Sequence, residues 1–131
     1  MSTHNLHGDI GLHPLDADPK TFLTPSQRVK YVKGVKRFVI ASSDMTGNSH
    51  VLISDKSNLF VWHTQDFSPL LDGSTWRKDT LQVVYCPTNY VIVHEGPNSE
   101  HGTQEVEAGL REIRREQEYE VLQEVLRNVI D

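Results

Sequence analysis

Between residues 37 and 94 the chain holds five short runs rich in Val, Ile, Phe, Tyr and Trp, at 37–42, 50–54, 58–64, 80–85 and 90–94. β-Branched and aromatic side chains suit the pleated surface of a sheet, and runs of this length bounded by turn residues predict strands. Asp44-Met45-Thr46-Gly47-Asn48, Asp55-Lys56-Ser57 and Cys86-Pro87-Thr88-Asn89 are the turn sequences between them. Pro87 is pre-set for the second position of its turn. Connections this short exclude parallel crossovers, so the first three strands, and likewise the last two, are expected to fold as antiparallel hairpins.

Both faces of these strands are apolar. Phe60 and Trp62 alternate with Leu59 and Val61, and Val91 and Val93 with Tyr90 and Ile92. A sheet with one wet face alternates more cleanly, so each side here needs a cover. The connection at 65–79, with Phe67, Leu70, Leu71 and Trp76, is expected to pack partly on the core and to offer a contact surface.

Gly96-Pro97-Asn98-Ser99 breaks the strand pattern, and the apolar spacing then takes a helical period. Val106, Leu110 and Ile113 form a narrow stripe; Tyr119, Leu122, Leu126 and Val129 form a broader one. Ser99 or Thr103 suits the N-cap, and Glu107/Arg111 and Arg114/Glu118 are four apart. Unbroken, a helix of about 28 residues is about 42 Å long, against about 36 Å for the diameter of a compact domain of this size. Such a helix overhangs and buries its apolar stripes on another chain, which predicts a homo-oligomer or larger protein assembly. A bent helix folded back on the sheet is the competing arrangement.

Residues 1–24 contain Gly8, Gly11, Pro14 and Pro19 without sustained periodicity and read as an extended N-terminal arm. Thr24-Pro25-Ser26-Gln27 has the form of a helix start, with Thr24 as cap, Pro25 in the first turn and Gly34 as terminator. An extended run into the first strand fits the same residues.

The formal net charge of −5 is unevenly spread: residues 1–60 carry seven Lys/Arg against five Asp/Glu, and residues 61–131 carry six against thirteen. Arg28, Lys30, Lys33, Lys36 and Arg37 are the one cationic cluster dense enough to engage phosphates. With Tyr31, Phe38, Phe60 and Trp62 nearby, they suggest a basic and aromatic sheet face on which single-stranded bases stack. The competing reading is a wet charged stretch with its aromatics turned inward.

Motifs for catalysis are scarce. His63 and His94 close strands, and with Glu95 and His101 they make a weak alternative for a zinc site or a hydrolase. The spacing of His94 and His101 matches no metal motif, and neither HExxH nor CxxC occurs. Cys86 is the single cysteine, so no intrachain disulfide forms, and nothing in its neighbourhood activates the thiol. Serine elbows and glycine-rich phosphate loops are absent too. No cofactor is expected.

At 131 residues the chain is the size of one domain. The expected architecture is α+β: an arm (1–24), a β-rich core (25–97) with a mainly antiparallel sheet of about five strands, open or barrel-like, and a long C-terminal amphipathic helix (98–131). The expected function is a non-catalytic interaction or assembly protein, of the kind found among viral or phage accessory and structural components. A single-stranded nucleic-acid or nucleotide binder is the alternative. No apolar run approaches the ~20 residues of a membrane span, and residues 1–8 lack the pattern of a secretory signal. The expected location is therefore the cytoplasm of a cell or host.

Overall fold

The computed structural model describes residues 5–7, 10–40, 49–66, 80–95 and 102–115, with side chains from Ile10 onward. Nine strands make up most of these: β1 (Asn5–His7), β2 (Ile10–Pro14), β3 (Arg37–Val39), β4 (Ser49–Ile53), β5 (Phe60–His63), β6 (Thr80–Cys86), β7 (Tyr90–Glu95), β8 (Gln104–Val106) and β9 (Gly109–Arg115). One short helix, α1 (Pro19–Leu23), and one 3-10 turn (Thr64–Asp66) complete the described elements. All pairings are antiparallel and form two sheets, ordered β1-β2-β9-β6-β5 and β3-β4-β7-β8.

The first core lies between the sheets. Ile10, Leu12, Val84, Cys86 and Ile113 of one sheet meet Leu52, Tyr90, Ile92 and Val106 of the other, with Ile40 and Leu59 beside them. A second core covers the outer face of the first sheet, where Leu15, Phe22 and Val29 pack on Trp62, Val83 and Leu110. Val83 and Val84 are neighbours on β6 and so point to opposite faces, one into each core. This double cover of the first sheet is why clean polar alternation is missing from β6.

Several expectations are corrected. Among the described residues there is no long helix: residues 104–106 and 109–115 are β8 and β9. The turn between them needs Gly109, whose φ of +134° is strained for any residue with a side chain. The narrow stripe therefore never forms. Val106 lies in the second sheet, while Leu110 and Ile113 lie in the first, on opposite faces of β9. The N-terminal arm is likewise a sheet element, since β2 pairs along β9 from Ile10↔Arg115 to Pro14↔Arg111. The first sheet thus draws strands from all three segments, 1–24, 25–97 and 98–131.

Two expected hairpins are corners instead. β4 and β7 lie in one sheet, β5 and β6 in the other, so the turns after Ile53 and after Cys86 each carry the chain across the sandwich. The two layers do not close into a barrel. A polar knot ties the corners together. Ser54 Oγ donates to Asn58 Oδ1, Asn58 Nδ2 donates to Thr88 Oγ1 at 2.9 Å, and Cys86 Sγ donates to Asn58 Oδ1 at 3.3 Å. No helix starts at Thr24: residues 25–36 run extended toward β3, and the one described α-helix, α1, lies before Thr24. Asp18 caps it by accepting from Lys20 N at 3.0 Å, Pro19 sits in the first turn, and Thr24 closes the end.

Candidate interaction surface

From Leu23 to Val39 the chain runs as a strap across the outer face of the first sheet and into β3. Its backbone is pinned at successive points. Ser26 Oγ accepts from Arg28 N at 3.1 Å, and Val29 sinks into the outer core at 2 % exposure. Lys30 N donates to the Asp66 carbonyl at 2.9 Å, and Trp62 Nε1 donates to the Lys30 carbonyl at 3.2 Å. Val35 and Leu59 exchange backbone bonds of 2.8 and 3.1 Å. Gly34 lies so close beneath the Ser57 carbonyl and the Phe60 ring that a Cβ there would collide with the carbonyl oxygen.

With its backbone held, the strap turns most of its other side chains outward, Val32 and Phe38 packing against the cores. Arg28, Lys30, Lys33, Lys36 and Arg37 are all exposed. So are Leu23 (37 %), Tyr31 (74 %), Val35 (37 %) and Val39 (42 %), the exposed large apolar residues of the described part of the chain. Residues 23–39 hold five of the 13 Lys/Arg and none of the 18 Asp/Glu. Two of the cations have neighbours: Lys30 Nζ lies 3.8 Å from Asp66 Oδ1, and Arg37 pairs with Glu95. Beside Arg28 and Lys30 a shallow cleft of about 190 Å³ opens toward Gln65 and Asp66.

The other aromatics do not form a stacking face. Trp62 is 1 % exposed, with its ring 5.4 Å from that of Phe22, and Phe38 and Phe60 are half-buried against the cores. Tyr31 alone stands among the cations.

The histidine constellation is dispersed. His63 is exposed on the first sheet, while His94 is buried on the second, stacked on His50 at 4.7 Å between ring centroids. Glu95 pairs with Arg37, and His101 lies outside the described residues. Among the described residues no three His, Cys, Asp or Glu side chains are grouped to hold a metal ion. Of the proposed helical contact residues, Val106, Leu110 and Ile113 are 0, 7 and 0 % exposed, so they are core in the single chain. Tyr119, Leu122, Leu126 and Val129 lie outside the described residues.

The interior also holds polar groups that the sequence pattern did not single out. Arg111, 1 % exposed, donates from Nη1 to the Leu12 carbonyl at 3.3 Å and from Nε to the Glu107 carbonyl at 3.4 Å. Glu112, also 1 % exposed, accepts from Thr80 Oγ1 and, at 2.8 Å, from Arg114 Nη2. Burial pushes the Tyr90 phenol far above its usual range, against the opposing pull of the Arg111 guanidinium. Charged residues on strands covered on both faces give no periodicity signal. Only the alternation of Ile10 and Leu12 with Gly11 and His13 hinted that β2 exists.

Comparison with known protein families, with curated proteins and with solved structures found no match, so function rests on the chemistry of the surface itself.

Proposed function

We propose that this protein is a non-catalytic interaction protein that presents the strap at 23–39 to an acidic, partly apolar partner chain. The observation that carries this reading is the coincidence, on one pinned segment, of the exposed large apolar side chains and five cations without a single carboxylate. Isolated exposed apolar residues are ordinary, but several on one segment interspersed with charge have the composition of an interface. Tyr and Arg are the residue types that most often carry binding energy, and Tyr31 and Arg28 are both available. Because the backbone is already held by Asp66, Trp62 and Leu59, binding costs little ordering of the strap. The cations steer an acidic partner on approach, and the apolar groups hold it once docked.

The test compares full-length wild type with the Tyr31→Ser/Val35→Ser/Val39→Ser variant for association with a labelled peptide of interleaved Glu and Leu, read by fluorescence anisotropy. The expected result is association by the wild type that the variant lacks, with both melting at similar temperatures. Equal association by both would overturn the reading.

Tyr31 standing among cations favours a second reading, binding of a single-stranded nucleic acid. There, fluorescence anisotropy with a labelled oligonucleotide should show affinity falling steeply with salt, with a slope of about −0.7 per phosphate contacted. Contacts dominated by apolar groups should respond far less.

A further inference from the structure

The strap has a complement within the same chain. Residues 116–131 carry Glu116, Glu118, Glu120, Glu124 and Asp131 against Arg127 alone, interleaved with Tyr119, Val121, Leu122, Val125, Leu126, Val129 and Ile130. Their composition mirrors that of the strap: acidic where it is basic, and apolar like it. We infer that the partner of the strap is a second copy of this chain, whose residues 116–131 dock on residues 23–39. The inference rests on the interaction reading above and names its partner.

Three observations support a second copy. First, among the described residues nothing covers the strap, where Tyr31 is 74 % exposed. Second, the chain leaves β9 at the end of the first sheet where the middle of the strap is held. Arg114 pairs with Thr80, Gln82 pairs with His63, and the turn that follows His63 holds Lys30 through the Asp66 carbonyl. The chain thus leaves β9 two strands away from the strap, about 10 Å at about 4.8 Å per strand. Two copies related by a two-fold axis would make this contact twice, each giving a tail and receiving one. Third, the size fits. Seventeen strap residues and sixteen tail residues per chain are of the order of the ~20–30 residues a side that form a standard interface.

The experiment is a charge swap in the full-length protein. Arg28→Glu/Lys33→Glu/Lys36→Glu reverses the strap and leaves Lys30 and Arg37 on Asp66 and Glu95. Glu118→Lys/Glu120→Lys/Glu124→Lys reverses the tail. Light scattering across a concentration series should show the wild type dimerising and each variant at least tenfold weaker. An equimolar mixture of the two variants should recover a dimer with one copy of each, because both of its strap–tail contacts are then complementary. That rescue also establishes that both variants fold. Tyr31→Ser probes the same seam without a charge change and should weaken dimerisation at least tenfold. A wild type that stays monomeric overturns the inference, as does a tail-reversed variant that dimerises like wild type, or a mixture of two folded variants that stays monomeric. If the tail-reversed variant dimerises normally while the strap-reversed one does not, the strap remains an interface and only its assigned partner falls. A strap-reversed variant that dimerises like wild type overturns both readings.

Discussion

The interior of the sandwich and the strap across its first sheet depart from ordinary residue placement in opposite directions. Inside, Arg111, Glu112, His50 and His94 are buried. Outside, Leu23, Tyr31, Val35 and Val39 meet solvent. The difference lies in what answers each group. Arg111 donates to the carbonyls of Leu12 and Glu107, Glu112 accepts from Thr80 and Arg114, and the two imidazoles stack on one another. A buried charge whose hydrogen bonds close locally is a structural feature of the fold. The strap's apolar groups stay exposed in the single chain, and the chain keeps carboxylates off the whole segment. An anomaly resolved inside the molecule speaks of folding; one left open at the surface speaks of a partner.

The largest expected effect tests the interior half of that contrast. Glu112→Ala leaves the Thr80 hydroxyl and the mostly buried Arg114 guanidinium without their carboxylate. Breaking a buried pair in this way costs about 3–5 kcal/mol, readable as a fall in the denaturant midpoint. A loss near zero would mean that these charges are not held by one another, and the contrast with the strap would disappear. Next in size is Gly34→Ala, which drives a methyl group into the Ser57 carbonyl at the point where the strap is clamped. Overpacking against backbone costs about 1–3 kcal/mol. If the strap is merely draped and not pinned, the variant melts like wild type.

A smaller effect concerns Tyr90, whose buried hydroxyl has no hydrogen-bond partner among the described residues and whose phenol is held protonated chiefly by burial. With the folded pKa raised, its contribution to stability is complete below the unfolded value near 10. It declines as pH rises above that, because the unfolded chain releases a proton that the folded one retains. Stability should therefore fall at alkaline pH by up to about 1.4 kcal/mol per pH unit from this group. Tyr90→Phe should remove that part of the decline while changing stability at neutral pH by no more than about 1 kcal/mol. An alkaline decline identical in both proteins would show that Tyr90 ionises freely and is not enclosed as described.

The sequence was legible where burial left a period and illegible where it did not. The five runs between residues 37 and 94 correspond to β3, β4, β5, β6 and β7, because β-branched and aromatic residues bounded by turns have few other uses. The partners of those strands were hidden. A short turn joins a hairpin and crosses a sandwich equally well, and the bond from Asn58 to Thr88 that ties the two corners joins residues 30 apart in sequence. Residues 104–113 misled for a specific reason. Val106, Leu110 and Ile113 have helical spacing by coincidence, and Arg111 and Glu112 look like a solvated helix face although both are 1 % exposed. Gly109, costly by about 1 kcal/mol in a helix interior, was the signal against that reading. The cationic cluster was visible from composition. What composition does not reveal is which aromatics accompany it, since Phe38, Phe60 and Trp62 turn inward and Tyr31 does not.

Tyr31 supplies the smallest effect on folding and the sharpest test of the comparison. Its side chain is 74 % exposed, so Tyr31→Ser should change stability by no more than about 0.5 kcal/mol, as surface substitutions generally do. If the strap is an unfinished surface, the same substitution should weaken association at least tenfold, because an exposed aromatic flanked by cations is the residue type that most often carries binding energy. Stability and association must therefore separate at this residue, whereas at Glu112 they fall together, the fold failing first. Should Tyr31→Ser lower the melting temperature without touching association, the strap would belong with the interior, its apolar groups serving the fold of the single chain after all.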